Sequence, residues 1–179
     1  MSLELSEFLA AGTDPVRFFK LATGFEPDDW QARLLRSEDR RILLLAARQV
    51  GKSTVVGARA VHQAVFQPSS LVLMISPSQR QSGELFRQSL EGYKRLGRPV
   101  PAEGENETTL RLENGSRIVS SPGSEATTRG FSAPSMLIID EAARIEDSLW
   151  EALLPMARGN CRVLMLSTPA GRRGVFYEQ

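Results

Sequence analysis

Cysteine, histidine and lysine are scarce in this sequence, long apolar runs are missing, and neither sign of charge dominates. A single cysteine, Cys161, in 179 residues cannot form an internal disulfide, which excludes a disulfide-stapled secreted module and fits a reducing compartment. The longest uninterrupted apolar run is 42–47, far below the roughly 20 residues that span a bilayer. The acidic start, with Glu4 and Glu7, lacks the basic region of a signal peptide, so the expectation is a chain neither membrane-bound nor exported. Basic and acidic side chains nearly balance, 22 against 21, which gives no overall electrostatic pull toward nucleic acid. Disorder is excluded by an apolar fraction of 41%, and the length suits one globular domain with a substantial core. Lys20, Lys52 and Lys94 are the only lysines beside 19 arginines. That bias reads first as codon usage or heat adaptation and second as phosphate contact.

What is present alternates between strand and helix signals. Residues 1–24 read as a helical lead-in, with a helix over 15–21 closed by Gly24. A helix is expected from Pro27 to Leu35, proline being tolerated in a first helical turn, with Trp30 and Leu34 on one face. Arg41 to Ala47 reads as a parallel strand covered on both faces, and a helix opens near Gly51 with Val55, Ala58, Val61 and Val65 at three- and four-residue spacing. Further strands are expected at 71–76, 136–139 and 162–166, with helices marked by Phe86, Leu90 and Tyr93 and by Leu149, Trp150, Leu153 and Leu154. Between them, 110–119 alternates around Asn114-Gly115, the signature of a hairpin with a two-residue turn. The fold class expected is α/β, a mainly parallel sheet flanked by helices and carrying an antiparallel hairpin insertion. The chain stops soon after the fourth buried strand, which suggests an excised domain.

The chemistry concentrates where strands end. Ala46-Ala47-Arg48-Gln49-Val50-Gly51-Lys52-Ser53-Thr54 matches the phosphate-loop pattern G-x-x-x-x-G-K-[ST] except at its first position, where Ala46 stands. In such a loop the backbone amides of Arg48, Gln49 and Val50 and the following helix N-terminus face phosphates. Gly51 permits close approach, Lys52 reaches the β/γ oxygens, and Ser53, followed by Thr54, can join Mg²⁺. Met136-Leu-Ile-Ile-Asp140-Glu141 then places an acid pair at the carboxyl edge of the sheet. Asp140 is suited to hold Mg²⁺ and Glu141 to polarise an attacking water. Ser167 and Thr168 end the last buried strand with hydroxyls suited to sensing a γ-phosphate. Upstream, Phe25 or Trp30 could stack on adenine and Gln31 could read its edge, with core packing the competing reading for Trp30. His62 reads as a solvated or core position and Cys161 as a small buried residue at a strand start.

Taken together, Arg48-Gln49-Val50-Gly51-Lys52-Ser53, Gln31, Thr128-Arg129-Gly130, Ile138-Ile139-Asp140-Glu141-Ala142 and Ser167-Thr168-Pro169 resemble the ATPase domain of the large terminase subunit of tailed bacteriophages and prophages. The resemblance covers roughly 25–171. It implies a P-loop NTPase of the ASCE/RecA-like class, an ATP- and Mg²⁺-dependent motor in the bacterial host cytoplasm that moves double-stranded DNA into a procapsid. It also implies a homo-oligomeric ring and two partners, the portal protein and the small terminase subunit. Residues 25–179 form the ATPase domain in this reading, and no nuclease domain is expected within the chain. The resemblance further suggests Arg129 as an arginine finger acting in a neighbour's site, with Arg48 the competing arginine acting within its own subunit. Two alternatives stay open. One is a RecA-like domain of a superfamily 2 helicase, which also carries an adenine-reading Gln and an Asp-Glu-Ala strand end. The other is a nucleotide-gated module that does not hydrolyse.

Overall fold

The computed structural model describes residues 4–123, 130–131, 133–171 and 174–178. Three helices come first, α1 (Leu5–Thr13), α2 (Pro15–Thr23) and α3 (Asp29–Arg36). Pro15 opens α2, the Val16 amide donates to Asp14 Oδ1 at 3.0 Å, and Gly24 closes the helix in the left-handed conformation at φ 79°. Then follow β1 (Arg41–Leu45), α4 (Lys52–Phe66), β2 (Leu71–Ser76), α5 (Gln79–Arg95), β3 (Ala102–Glu105), β4 (Thr109–Leu112), β5 (Arg117–Pro122) and β6 (Met136–Asp140). A 3-10 turn at Ala142–Arg144, α6 (Asp147–Leu153), β7 (Arg162–Ser167) and α7 (Val175–Glu178) complete the described chain.

The strands form one sheet in the order β1-β7-β6-β2-β5-β4-β3. The pairs from β1 through β5 are parallel, and β4 and β3 add antiparallel at the far edge. An apolar core lies on each face. On one, Val72, Met74, Met136, Ile138 and Leu164 pack under α4 and α5, with Phe18, Phe19 and Leu35 from the leading helices. On the other, Leu73, Ile75, Leu137, Ile139 and Met165 pack under Leu149, Trp150 and Leu153 of α6. The leading helices therefore share the core that carries α4. Continuous burial of β2 and β6 is what a parallel strand covered on both faces requires.

Two local expectations are corrected. The apolar run predicts a strand from Arg41 to Ala47 covered on both faces. Strand β1 is instead the sheet edge and ends at Leu45, with Leu43 42% and Leu45 60% exposed. Those two leucines border an apolar hollow of about 520 Å³ with Pro169, Phe176 and Tyr177. The hairpin from β4 to β5 forms, with Leu110 opposite Ile118, but its turn differs. The Leu112 amide donates to Ser116 O and the Gly115 amide to Leu112 O, both at 2.9 Å, and Gly115 has φ 79° while Asn114 keeps negative φ. This is a three-residue loop closed by a left-handed glycine, the next commonest hairpin solution. Asn114 is committed elsewhere. Its Nδ2 donates to Ala64 O at 2.9 Å and Val65 O at 3.2 Å, tying the hairpin to the end of α4.

Candidate nucleotide-binding site

Parallel strands send their carboxyl ends to one edge of the sheet, and the residues singled out in sequence gather there. A cleft of about 620 Å³ is bounded by Arg48, Gln49 and Gly51 from the loop between β1 and α4 and by Lys52, Ser53 and Thr54 from the first turn of α4. Asp140, Glu141 and Thr168 border it from the ends of β6 and β7. The register explains the convergence: Leu45 of β1 stands opposite Ser167 of β7, and Asp140 of β6 opposite Leu166.

The loop is shaped by backbone conformations that side chains resist. Gln49 has φ 61° and Gly51 φ 81°, left-handed geometry that glycine adopts without cost. At Gly51 a second constraint applies, because a Cβ there would lie 2.6 Å from Gln31 Nε2. Lys52 is 8% exposed, and its ammonium donates to Ala46 O at 3.1 Å and Ala47 O at 2.6 Å, which leaves one of its three donors uncommitted to the loop. The Ala46 amide donates to Ser167 O at 3.2 Å, fastening the loop to β7.

On the acidic side, Asp140 is 9% exposed and burial raises its carboxyl above the ordinary value. The Glu141 amide, donating to Asp140 Oδ1 at 2.9 Å, and the Lys52 charge both work against that rise, while the charge of Glu141 adds to it. A buried carboxylate without an ion pair within 4.0 Å among the described residues is an oxygen donor suited to a hard cation. Glu141 itself sits at φ 48°, ψ 42°, a left-handed conformation costing a non-glycine residue on the order of 1–3 kcal/mol and concentrated at functional sites. Its Oε2 accepts from Thr168 Oγ1 at 3.0 Å and lies 3.5 Å from Arg144 Nε.

Not every predicted residue borders the cleft. Gln31 is 7% exposed; its Oε1 accepts from the Asp28 amide at 2.9 Å and its Nε2 donates to Val50 O at 3.4 Å. It thus braces the loop from behind. Phe25 is 68% exposed, and Trp30 packs on the apolar core beside α4. Val50 receives Gln31, and Ser167 Oγ donates to Thr168 O at 2.9 Å while accepting from the Ala143 amide at 3.3 Å. Arg129 lies outside the described residues. Sequence reasoning missed Gln81 and Gln88 of α5 and Arg144, all three of which border the cleft. Only Arg144 carried a signal, its three-residue spacing from Glu141. Cys161 is buried, and burial pushes its thiol up to about 11, which disfavours the thiolate at neutral pH.

The family model for the helicase domain of the RNA cytidine acetyltransferases NAT10/TcmA matches residues 43–178. The large terminase subunit of Thermus virus P23-45 is 31% identical over 182 aligned positions, covering 90% of this chain and 37% of that protein. The large terminase ATPase domain of Thermus phage P74-26 superposes with a TM-score of 0.74 at 25% identity, covering 92% of this chain and 73% of that one. The chain belongs to this helicase-domain family, as an ATPase domain of the large-terminase kind. The family match is to a helicase domain, so no acetyl-transfer chemistry follows from it. Likeness to S. cerevisiae Dbp5 bound to RNA and ADP BeF3 is one of fold, with a TM-score of 0.61 at 15% identity, covering 88% of this chain and 44% of that one. This large-terminase ATPase domain spans 37% of the length of the curated relative from Thermus virus P23-45. Among its described residues no helix is long and apolar enough to cross a membrane.

Proposed function

We propose that this domain hydrolyses Mg²⁺-bound ATP and couples the cycle to driving double-stranded DNA into a procapsid. In this reading residues 25–179 are the ATPase unit, with 1–24 its helical lead-in. It works in a homo-oligomeric ring in the host cytoplasm, with the portal protein and the small terminase subunit as partners. The observation that carries the reading is the meeting of Lys52, Ser53, Asp140 and Glu141 around one cleft, with Thr168 bonded to Glu141. Kinship with a large terminase subunit at 31% identity supplies the substrate to be moved.

The roles follow from the chemistry of each group. The loop amides of 48–51 and the N-terminus of α4 receive phosphates, and Lys52 exchanges loop carbonyls for β/γ oxygens. Ser53 Oγ and Asp140 would hold Mg²⁺, which when bound neutralises phosphate charge. Glu141 orients the attacking water, and Thr168 fixes the carboxylate that does so. Gln31 acts on the nucleotide through the loop it braces.

ATP turnover with and without duplex DNA tests the reading. Lys52→Ala should lose nucleotide affinity and turnover together. Glu141→Gln should keep Mg²⁺-ATP binding and lose hydrolysis, and chelation of Mg²⁺ should abolish turnover. Wild-type turnover in Glu141→Gln removes Glu141 as the group that orients water, and ATP binding without turnover in the wild-type protein overturns the hydrolytic assignment in favour of a nucleotide-gated module. A helicase-type reading is favoured by the match over 43–178. Strand separation of a forked duplex, in place of translocation along an intact one, would select it.

A further inference from the structure

The opposite edge of the sheet carries a second polar cleft. Arg162 is the first residue of β7, Arg40 immediately precedes β1, and Ser135 immediately precedes β6. All three therefore stand at the amino ends of parallel strands, whereas the nucleotide cleft is built on the carboxyl ends. With Arg59 from the middle of α4 and Arg158 from the loop before β7, these residues border a cavity of about 780 Å³.

The charges in this cleft do not balance. Arg40 is engaged, donating to Gly159 O at 3.3 Å and Asn160 Oδ1 at 3.1 Å. Arg59 is more than nine-tenths buried, and among the described residues its guanidinium has one hydrogen-bond partner, His62 Nδ1 at 3.3 Å. The other ring nitrogen, Nε2, faces Gly12 O at 3.2 Å, so the neutral tautomer that donates from Nε2 accepts from Arg59 and lends it no charge. Among the described residues no carboxylate lies within 4.0 Å of Arg59, Arg158 or Arg162. Among the described residues Glu38 is the one acidic side chain bordering the cavity, and the charges of Glu38 and Asp39 act on Arg162 from beyond ion-pair distance. Burial and the charge of Arg162 push Arg59 down to about 10, still a cation at neutral pH. A buried cation without an anion is costly, and pairing it recovers that cost.

We infer that this arginine-lined cleft at the amino edge of the sheet binds phosphate groups. Four guanidiniums against Glu38 at the cavity and Asp39 beyond it call for more negative charge than those two carboxylates bring. The planar guanidinium fork also matches phosphate oxygens two at a time. The volume accommodates a phosphate together with the groups attached to it. The source is either free phosphate or the backbone of nucleic acid, and the inference is independent of the ATPase reading.

Binding measured in a Lys52→Ala background, which silences the phosphate loop, tests it. Inorganic phosphate is scored by the rise in melting temperature, and a short labelled DNA duplex by fluorescence anisotropy at low salt. At least one should bind, and the paired Arg158→Gln/Arg162→Gln substitution at the cavity rim should weaken it tenfold or more. In the otherwise wild-type protein the same pair should leave ATP turnover in the absence of DNA unchanged. Phosphate binding alone identifies a free ion or monoester as the ligand. Duplex binding that weakens steeply with salt and requires the arginine pair identifies the nucleic-acid backbone. Arg59→Gln should abolish the same binding; where that variant fails to fold, the rim pair decides. Absence of both interactions, binding indifferent to the arginine pair, or binding only of an acidic hexapeptide overturns the inference.

Discussion

Thr168 Oγ1 donates to Glu141 Oε2 across 3.0 Å, joining the residue after β7 to the residue after β6. The same oxygen of Glu141 lies 3.5 Å from Arg144 Nε, so one edge of the carboxylate is held and the other is left for chemistry. In the proposed mechanism Thr168 is a positioning residue. It ties any movement of the Ser167-Thr168-Pro169 segment to the group that orients water.

Thr168→Val removes the hydroxyl while keeping the shape, and a hydrogen bond to a charged acceptor contributes about 1.5–3 kcal/mol. The expected outcome is a fall of roughly tenfold to a hundredfold in kcat, with KM for ATP nearly unchanged. Thr168→Ser, which restores the donor, should recover most of the rate. A purely structural role would instead lower the melting temperature and leave the kcat to KM relation undisturbed.

Much of this was legible in the sequence, and the reasons for the rest are physical. Strands β2, β6 and β7 and the loop before α4 follow from apolar runs ending in phosphate-loop, acidic and hydroxyl residues. The edge position of β1 was not legible, because the run from Ile42 to Leu45 looks the same whether one face or both are covered. Asn114-Gly115 announced a turn, yet Asn114 is drawn into bonds with α4, a tertiary demand invisible locally. Gln81 and Gln88 reach the cleft only because α5 packs beside α4. Gln31 was noticed for its amide, but its use as a brace depends on where Val50 sits in space.

Gly51 is held by two independent constraints, its φ of 81° and the Gln31 amide 2.6 Å from where a Cβ would stand. A left-handed alanine costs on the order of 1–2 kcal/mol, and the displaced Gln31 adds to it. Gly51→Ala should lower the melting temperature and abolish nucleotide binding by calorimetry. Adding Gln31→Ala relieves the clash alone, so the double variant should regain part of the stability and little of the binding. Full recovery of both would show that backbone conformation is immaterial at this position.

His62 makes stability depend on acid. Burial and the adjacent Arg59 charge push its imidazole down to about 4 from the ordinary 6.5, and Asp14, Arg36, Glu38 and Arg59 border the hollow it faces. Between those values the unfolded chain binds the proton and the folded one does not. Stability is therefore complete above about pH 6.5 and falls as pH drops toward 4, by on the order of 3 kcal/mol from this group. Chemical denaturation at pH 7 and pH 4.5 should show the loss. His62→Phe, which keeps a ring against Phe18 and Phe66, should shrink the pH-dependent part while imposing a constant cost from the lost Arg59 bond. An unchanged pH slope would remove His62 as its source.

Three arginines are candidates to complete the ATP site. Arg48 and Arg144 border the cleft within the subunit. Arg129, in the Thr128-Arg129-Gly130 segment eleven residues before Asp140, is proposed to enter a neighbour's site. A guanidinium reaching γ-phosphate oxygens contributes on the order of 10³ to 10⁵ in rate in phosphoryl-transfer enzymes, so removing the operative one should nearly silence turnover. Mixing separates the cases. Arg129→Ala protein keeps an intact site and lacks the finger, whereas Glu141→Gln protein keeps the finger and has a dead site. Combined at concentrations at which the wild-type protein assembles and hydrolyses, the two should regain part of the activity. Low wild-type activity that rises with protein concentration is the companion expectation, because a finger acting in trans requires a neighbour. Arg48→Ala or Arg144→Ala mixed with Glu141→Gln should regain nothing, since an arginine acting within its own subunit cannot be supplied by a neighbour. If the Arg129→Ala mixture is no more active than its components measured apart, the trans assignment fails. Arg48 and Arg144 then stand as the candidates, to be ranked by the loss each produces alone.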